Sequence, residues 1–271
     1  MQLPRCNALL ASLPAQDYQH IEPHLELVSL SMGQTLFRPG ECITHAHFLT
    51  SAVVTNSLDL ADGNSVDTAM VGSDGAVGLG AFSHPLAAHQ ARVRCAGFAY
   101  RLRTELLRAE LQRGGSLMKA WLLATRAMLM QMGQISVCNR HHSLEQRLAR
   151  WVLSLQDMTR SDSIAITHQE VADMLGVRRE AVTLTAGRFS KAGLMRFARG
   201  QLHILDREGL EQTSCECYQR LRDQAPFKAR LYSPHDSVHL ATSRSQRPAF
   251  QGVHAHGMRM SKALRVMATS V

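Results

Sequence analysis

Residues 168–194 read HQEVADMLGVRREAVTLTAGRFSKAGL: an apolar run of helical period, a glycine, a pair of arginines and a second helical run. Just before it, Thr167 and Glu170 have the spacing of a capping box, in which a hydroxyl and a carboxylate satisfy free amides at a helix start. Val171, Met174 and Leu175 then share one face of a short helix, and Gly176 supplies the left-handed residue that ends it. In the next helix Val182, Ala186 and Phe189 recur at spacings of four and three. Arg179, Glu180, Thr183, Leu184 and Gly187 therefore turn outward near its beginning. Residues 194–198, Arg199-Gly200 and residues 201–205 read as a hairpin, after which Asp206 can cap one more helix. Helix, tight turn, helix and hairpin in this order describe a winged helix-turn-helix.

The second helix of such a unit enters the major groove of DNA, and side chains of its first turns meet base edges. Arginine can bond guanine through two donors, and a glutamate can accept from the cytosine amino group. Arg178, Arg179, Glu180, Thr183 and Leu184 form the expected reading side, and Thr167, His168, Gln169 and Arg199 are counted with them as DNA-binding. The competing reading is two arginines solvated on an ordinary helical hairpin, against which the caps, the placed glycine and the wing count together.

The rest of the chain sets the context. Its 271 residues suffice for two domains that each bury a core. A net charge of +8 suggests an anionic partner, but charge alone does not separate nucleic acid from membrane surface or plain solubility. From residue 226 onward there are seven Lys or Arg against one acid, Asp236, so the part expected to fold is only mildly basic. Pro4, Asp17, His20 and Glu22 interrupt the apolar start, which argues against a secretory signal. AWLLATRAMLM, residues 120–130, carries Arg126, and no stretch reaches the roughly 20 apolar residues of a membrane span. A soluble cytoplasmic protein with no membrane partner is expected. Six cysteines without a CxxC pair fit reduced thiols.

Residues 25–103 read as short β segments punctuated by turns: LELVSL, TLFRPGE, HFLTSAVVTNSL, SVDTAMVG and ARVRCAGFAYRLR. Regular spacing of this kind predicts a sandwich or jelly-roll barrel. After Gly114-Gly115 the period changes, and Met118, Trp121, Leu122, Thr125, Leu129, Met132 and Ile135 recur at three-to-four spacing. A helix of roughly 26 residues at 1.5 Å each would be about 39 Å long, more than a small domain needs, and suits dimerisation. The alternative is a helix packed on its own barrel. Ser143 with Gln146 fits a further capping box, so a new helix starts there and residues 140–143 form a joint.

By this point the chain resembles the Crp/Fnr superfamily of bacterial transcription regulators over about residues 8–220. TLFRPGE, HFLTSAVV and MVGSDGAVGLGAF are similar to that family's cyclic-nucleotide-binding-type barrel, and HQEVADMLGVRREAVT to its DNA-binding motif. RHHSLEQRLARW and GLEQTSCECY resemble a subgroup without an assigned effector. The resemblance implies a homodimer on double-stranded DNA with a two-fold-related operator, with RNA polymerase a further candidate partner. Cyclic-nucleotide binders of the family hold the ligand with a Gly-Glu pair and, eleven residues past the Gly, an Arg. Laid without gaps on GLGAFSHPLAAHQARV, these positions are Gly78, Leu79 and His89. Leucine cannot accept from a ribose hydroxyl, and neutral histidine holds phosphate far less well than a guanidinium. The pocket therefore reads as degenerate and the effector as unknown. The base-reading position that is usually arginine is Leu184, which can contact a thymine methyl but cannot bond guanine.

The sequence thus predicts an α+β chain of four parts. They are a cyclic-nucleotide-binding-like sensor barrel over 1–115, a dimerisation helix over 116–142, a winged helix-turn-helix domain over 143–222 and a disordered basic tail over 223–271. His45-x-His47, His141-His142 and His254-x-His256 lack the helical i, i+4 pairing of a catalytic zinc site, and Cys215-x-Cys217 has no third ligand in view. No metal or cofactor is expected. Without a phosphate loop, nucleophile elbow or paired carboxylates, no enzyme is expected either. The leading reading is a sequence-specific DNA-binding transcription regulator, and the alternative is a regulatory module for a cyclic nucleotide or other small effector.

Overall fold

The computed structural model describes residues 3–59, 61, 65–225 and 227. The basic tail expected over 223–271 lies outside them, apart from residues 223–225 and 227. Two short helices, α1 (Ala8–Ala11) and α2 (Ala15–Ile21), open the chain. Eight strands follow: β1 (Glu26–Leu30), β2 (Thr35–Phe37), β3 (His45–Leu49), β4 (Val53–Asp59), β5 (Ser65–Val71), β6 (Ala76–Val77), β7 (Gln90–Cys95) and β8 (Gly97–Arg103). All of them pair antiparallel in two four-stranded sheets, β1-β8-β3-β6 and β2-β7-β4-β5, which make the barrel the turn spacing predicts.

Two segments that read as single strands each divide. HFLTSAVVTNSL becomes β3 and β4 and ARVRCAGFAYRLR becomes β7 and β8, with the halves in different sheets. The reason is a shared corner. The amides of Thr50, Ser51 and Ala52 all approach the Phe98 carbonyl, at 3.0, 3.3 and 3.4 Å. A Cβ on Gly97 would lie 2.5 Å from the Ala52 nitrogen, so only glycine lets the two crossing chains touch. Period-two alternation runs through such a corner unbroken, which hides it from a pattern reading.

Helix α3 (Thr104–Gln112) leads into the long helix α4 (Ser116–His141). One face of α4 belongs to the barrel. Leu117, Ala120, Trp121 and Ala124 are buried in the same core as Leu9, Phe48 and Leu102. The Trp121 indole lies 6.3 Å from the Phe48 ring and donates to the Leu79 carbonyl at 3.1 Å. Further along, the Met70 amide donates to Gln131 Oε1 at 3.2 Å.

The remaining elements are α5 (Leu144–Thr159), β9 (Ser163–Ala165), α6 (His168–Leu175), α7 (Arg179–Lys191), β10 (Met195–Ala198), β11 (Gln201–Ile204), α8 (Arg207–Thr213) and α9 (Glu216–Asp223). Ser143 and Gln146 form the expected capping box at the start of α5. Leu148, Trp151, Val152 and Leu155 carry a core shared with Val171, Val182, Phe189 and Leu202. A polar clasp fastens α8 and α9 to α5: Arg207 pairs with Asp157 at 2.8 Å, and the Tyr218 hydroxyl donates to Asp157 at 2.8 Å while accepting from Arg207 at 2.6 Å. Among the described residues no helix is long and apolar enough to cross a membrane.

Candidate DNA-binding surface

The candidate surface is built from its caps upward. The Thr167 amide and hydroxyl donate to Glu170 Oε2 at 2.8 and 2.9 Å, and the Glu170 amide returns to the Thr167 hydroxyl at 3.3 Å, closing the predicted box. Gly176 at φ +62 ends α6 in the left-handed conformation. Val177 and Arg178 then turn the chain into α7, which buries Val182, Thr185, Ala186 and Phe189. Arg178, Arg179, Glu180, Thr183, Leu184 and Gly187 are left exposed, Leu184 with 67% of its surface in solvent. Neither Arg178 nor Arg179 forms an ion pair among the described residues.

The wing is β10 and β11, joined by Arg199 at φ +51 and Gly200 at φ +75, the paired positive angles of a tight two-residue hairpin turn. Arg199 stands exposed at its tip. Arg196, exposed on β10, joins it as a cation that pattern reading passed over; its place opposite the buried Met195 and next but one to Ala198 is the signal that could have found it.

Thr167 and Gln169 are exposed at the head of α6, whereas His168 is turned inward. Its ring packs edge-on at 4.3 Å against Phe197 of the wing, and Nδ1 meets the Thr183 hydroxyl at 3.0 Å. Burial first, and then the nearby Arg179 charge, lowers its pKa below the usual histidine range. His168 therefore joins the two helices and the wing, and holds Thr183 in place.

Of the three degenerate effector positions, only Leu79 lines a cavity of about 470 Å³ bordered by Met70, Val71, Ala124, Met128 and Met158. Gly78 sits at φ +94 behind it, close to the His45 carbonyl. His89 packs 5.7 Å from the Phe37 ring, and burial depresses its pKa.

The predicted stripe on α4 divides as well. Met118 and Trp121 pack toward the barrel, Ile135 lines a small space with Trp151 and Met174, and Thr125 bonds back to the Trp121 carbonyl at 2.9 Å. Leu122 and Leu129 are exposed, and Met132 is half-buried. Successive residues lie about 100° apart on a helix, so a list holding both 121 and 122 spans two faces. The exposed apolar line is Leu122, Leu123, Leu129, Met130 and Val137, and three of these five were not in the predicted stripe.

The cysteine reading changes too. The spacing of Cys215 and Cys217 offers no third ligand, but the fold brings Cys138 and His142 beside them.

Residues 146–213, from the third residue of α5 to the end of α8, match the family model of the Crp-like helix-turn-helix domain. No curated protein matches the chain by sequence. Its fold is similar to that of a Eubacterium rectale protein assigned to the Crp/Fnr family of transcriptional regulators, with a TM-score of 0.62 and 17% identity over 80% of this chain and 99% of that one. FixK2 from Bradyrhizobium japonicum gives 0.59 and 15% over 70% and 98%. The c-di-GMP responsive regulator CLP from Xanthomonas campestris gives 0.59 and 16% over 71% and 100%. At these identities the likeness is one of fold, and the helix-turn-helix match adds the DNA-binding domain. The class is that of the DNA-binding transcription regulators. Within it, residues 146–213 carry the Crp-like helix-turn-helix domain, and the chain shares the fold of these Crp/Fnr-type structures.

Proposed function

We propose that two copies of this chain bind a two-fold-related operator and read it with the first turns of α7. The observation that carries this reading is the exposed set Arg178, Arg179, Glu180, Thr183 and Leu184 on a Crp-like helix-turn-helix, the arginines without ion-pair partners among the described residues. Arg179 and Glu180 contact base edges, and Leu184 meets a thymine methyl. Thr167 and Gln169 at the head of α6, with Arg196 and Arg199 on the wing, face the phosphates, where helix N-termini and cations serve best. The exposed apolar line of α4 pairs with its two-fold mate and sets the two reading helices about 34 Å apart, one turn of DNA.

In this reading, residues 1–115 form the sensing barrel, 116–142 the dimer helix and 143–222 the reading domain. The protein works in the cytoplasm and conveys its effect to RNA polymerase. The largely apolar cavity beside α4 favours a second element of the reading, an effector other than a cyclic nucleotide. Genomic binding sites mapped by crosslinking and sequencing should share a two-fold-symmetric motif, and affinity for that motif should fall steeply with salt as phosphate contacts release counterions. A motif without symmetry, or affinity indifferent to salt, overturns the proposal.

A further inference from the structure

At the joint between α4 and α5 four side chains of soft or borderline donor type meet. Cys138 stands in the last turn of α4 and His142 at its C-cap, four residues on and so on the same side of the helix. Cys215 is the N-cap of α9, and Cys217 lies in its first turn. The three sulfurs and one imidazole nitrogen all lie within 4.8 Å of one another. Cys138 Sγ is 3.6 Å from Cys215 Sγ, and Cys217 Sγ is 3.5 Å from His142 Nδ1. A sulfur–sulfur separation of 3.6 Å is far longer than the roughly 2.05 Å of a disulfide. It is close to the edge of a tetrahedron drawn around one zinc ion, about 3.8 Å between sulfurs for Zn–S bonds near 2.3 Å.

The surroundings match that use. His142 turns Nε2 toward Glu216 Oε2 at 3.4 Å, which fixes the proton on Nε2 and leaves the Nδ1 lone pair facing the sulfurs. Gln134 donates to Cys217 Sγ at 2.9 Å, a contact that stabilises a thiolate. The three cysteines are buried, with at most 5% of their surface exposed, and form an apolar cluster of their own apart from the larger cores.

We propose that Cys138, His142, Cys215 and Cys217 form a tetrahedral site for a single zinc ion. On binding, the three thiols lose their protons to solvent and the imidazole ligates as the neutral base, so a site of Cys₃His type is filled by protein ligands alone. Four donors this close hold one ion. An iron–sulfur cluster, whose cysteines sit on separate irons, needs a wider ring. The ion joins the end of α4 to the start of α9 across the residue 140–143 joint. It thereby fixes the angle at which the helix carrying the exposed apolar line meets the helix-turn-helix domain. The metal site itself does not depend on the DNA-binding reading.

The test uses the full chain, purified under reducing conditions and dialysed, with metal content measured by mass spectrometry. About one zinc per chain is expected. Replacing it with cobalt(II) should give the intense visible bands of tetrahedral coordination and a thiolate-to-cobalt charge-transfer band in the near ultraviolet. Chelation should lower the melting temperature by about 5 to 10 °C. Cys138→Ser and Cys217→Ser should each abolish zinc retention and the charge-transfer band, while the exposed Cys42→Ser keeps both. The wild-type cobalt spectrum decides the matter even if a cysteine variant fails to fold. The site is refuted if reduced wild-type protein takes up neither zinc nor cobalt, if cobalt binds with the weak bands of octahedral coordination, or if a folded Cys217→Ser retains the ion. A Cys138–Cys215 disulfide found in freshly purified, metal-free protein would replace the metal site with a redox pair.

Discussion

Arg179 and Leu184 sit one helical turn and a residue apart on the exposed side of α7, one able to bond a base and the other only to touch a methyl. Arg179→Ala should cost about 1–3 kcal/mol at one operator position and relax specificity there, measured by competition between the mapped operator and single-base variants. Uniform weakening on every sequence would make Arg179 a phosphate contact instead. A second residue reports on the barrel. Asp67 on β5 has an Oδ2 buried without a hydrogen-bond partner among the described residues. Burial pushes its carboxyl up to about 7, against the pull of Arg94 and Arg92 and a hydrogen bond from Thr55, with Asp173 adding repulsion. The folded state therefore holds a proton that the unfolded chain releases near the ordinary carboxylate value. Its contribution to stability is present in acid and is lost as pH rises toward 7. Asp67→Asn should remove that loss and gain on the order of 1–3 kcal/mol at pH 8, followed by denaturant unfolding across pH. The same slope in wild type and variant would exclude Asp67 as its source.

Helix α4 is read differently from its two sides. Its barrel side carries Trp121 and Ala124, and the opposite side leaves Leu122, Leu129, Met130 and Val137 in solvent. A run of apolar side chains along one exposed helix face is unusual unless something covers it. Leu129→Glu puts a charge in the middle of that run and should turn a dimer into a monomer in sedimentation while leaving far-ultraviolet circular dichroism unchanged. A variant that stays dimeric would place the seam elsewhere. At the other end of the reading motif, Arg94 of β7 donates to Glu170 of the α6 capping box at 3.1 Å. The barrel thus touches the helix-turn-helix through the very residue that caps it.

The long helix and the winged unit are assembled from near neighbours in the chain, but the barrel, in which β1 pairs with β8 and β2 with β7, the cavity and the thiol cluster are not. The cavity of about 470 Å³ draws its walls from β5, α4, α5 and α9. Leu79 offers it an isobutyl group where a ribose would need an acceptor, and His89 is packed on Phe37 away from it. Cyclic AMP at physiological concentration should therefore produce no heat in calorimetry and no shift in melting temperature. Micromolar binding would restore the cyclic-nucleotide reading.

What the sequence by itself determined is the local order: capping boxes at Thr167 and Ser143, the left-handed Gly176, the wing turn and the periods of two and near four. Caps and turns are set by residues three or four apart, so their chemistry is legible in one line of text. The exposed side of α7 followed from the same rule, because one buried stripe fixes the opposite face. Tertiary structure decided what distant segments do to each other. It broke two apparent strands at a corner that only Gly97 permits, and it divided the α4 stripe between the barrel and solvent. It also carried Cys215 and Cys217 across about 75 residues to Cys138 and His142. Spacing along the chain holds no record of such meetings, since they depend on how whole helices pack and not on the helices' own periods.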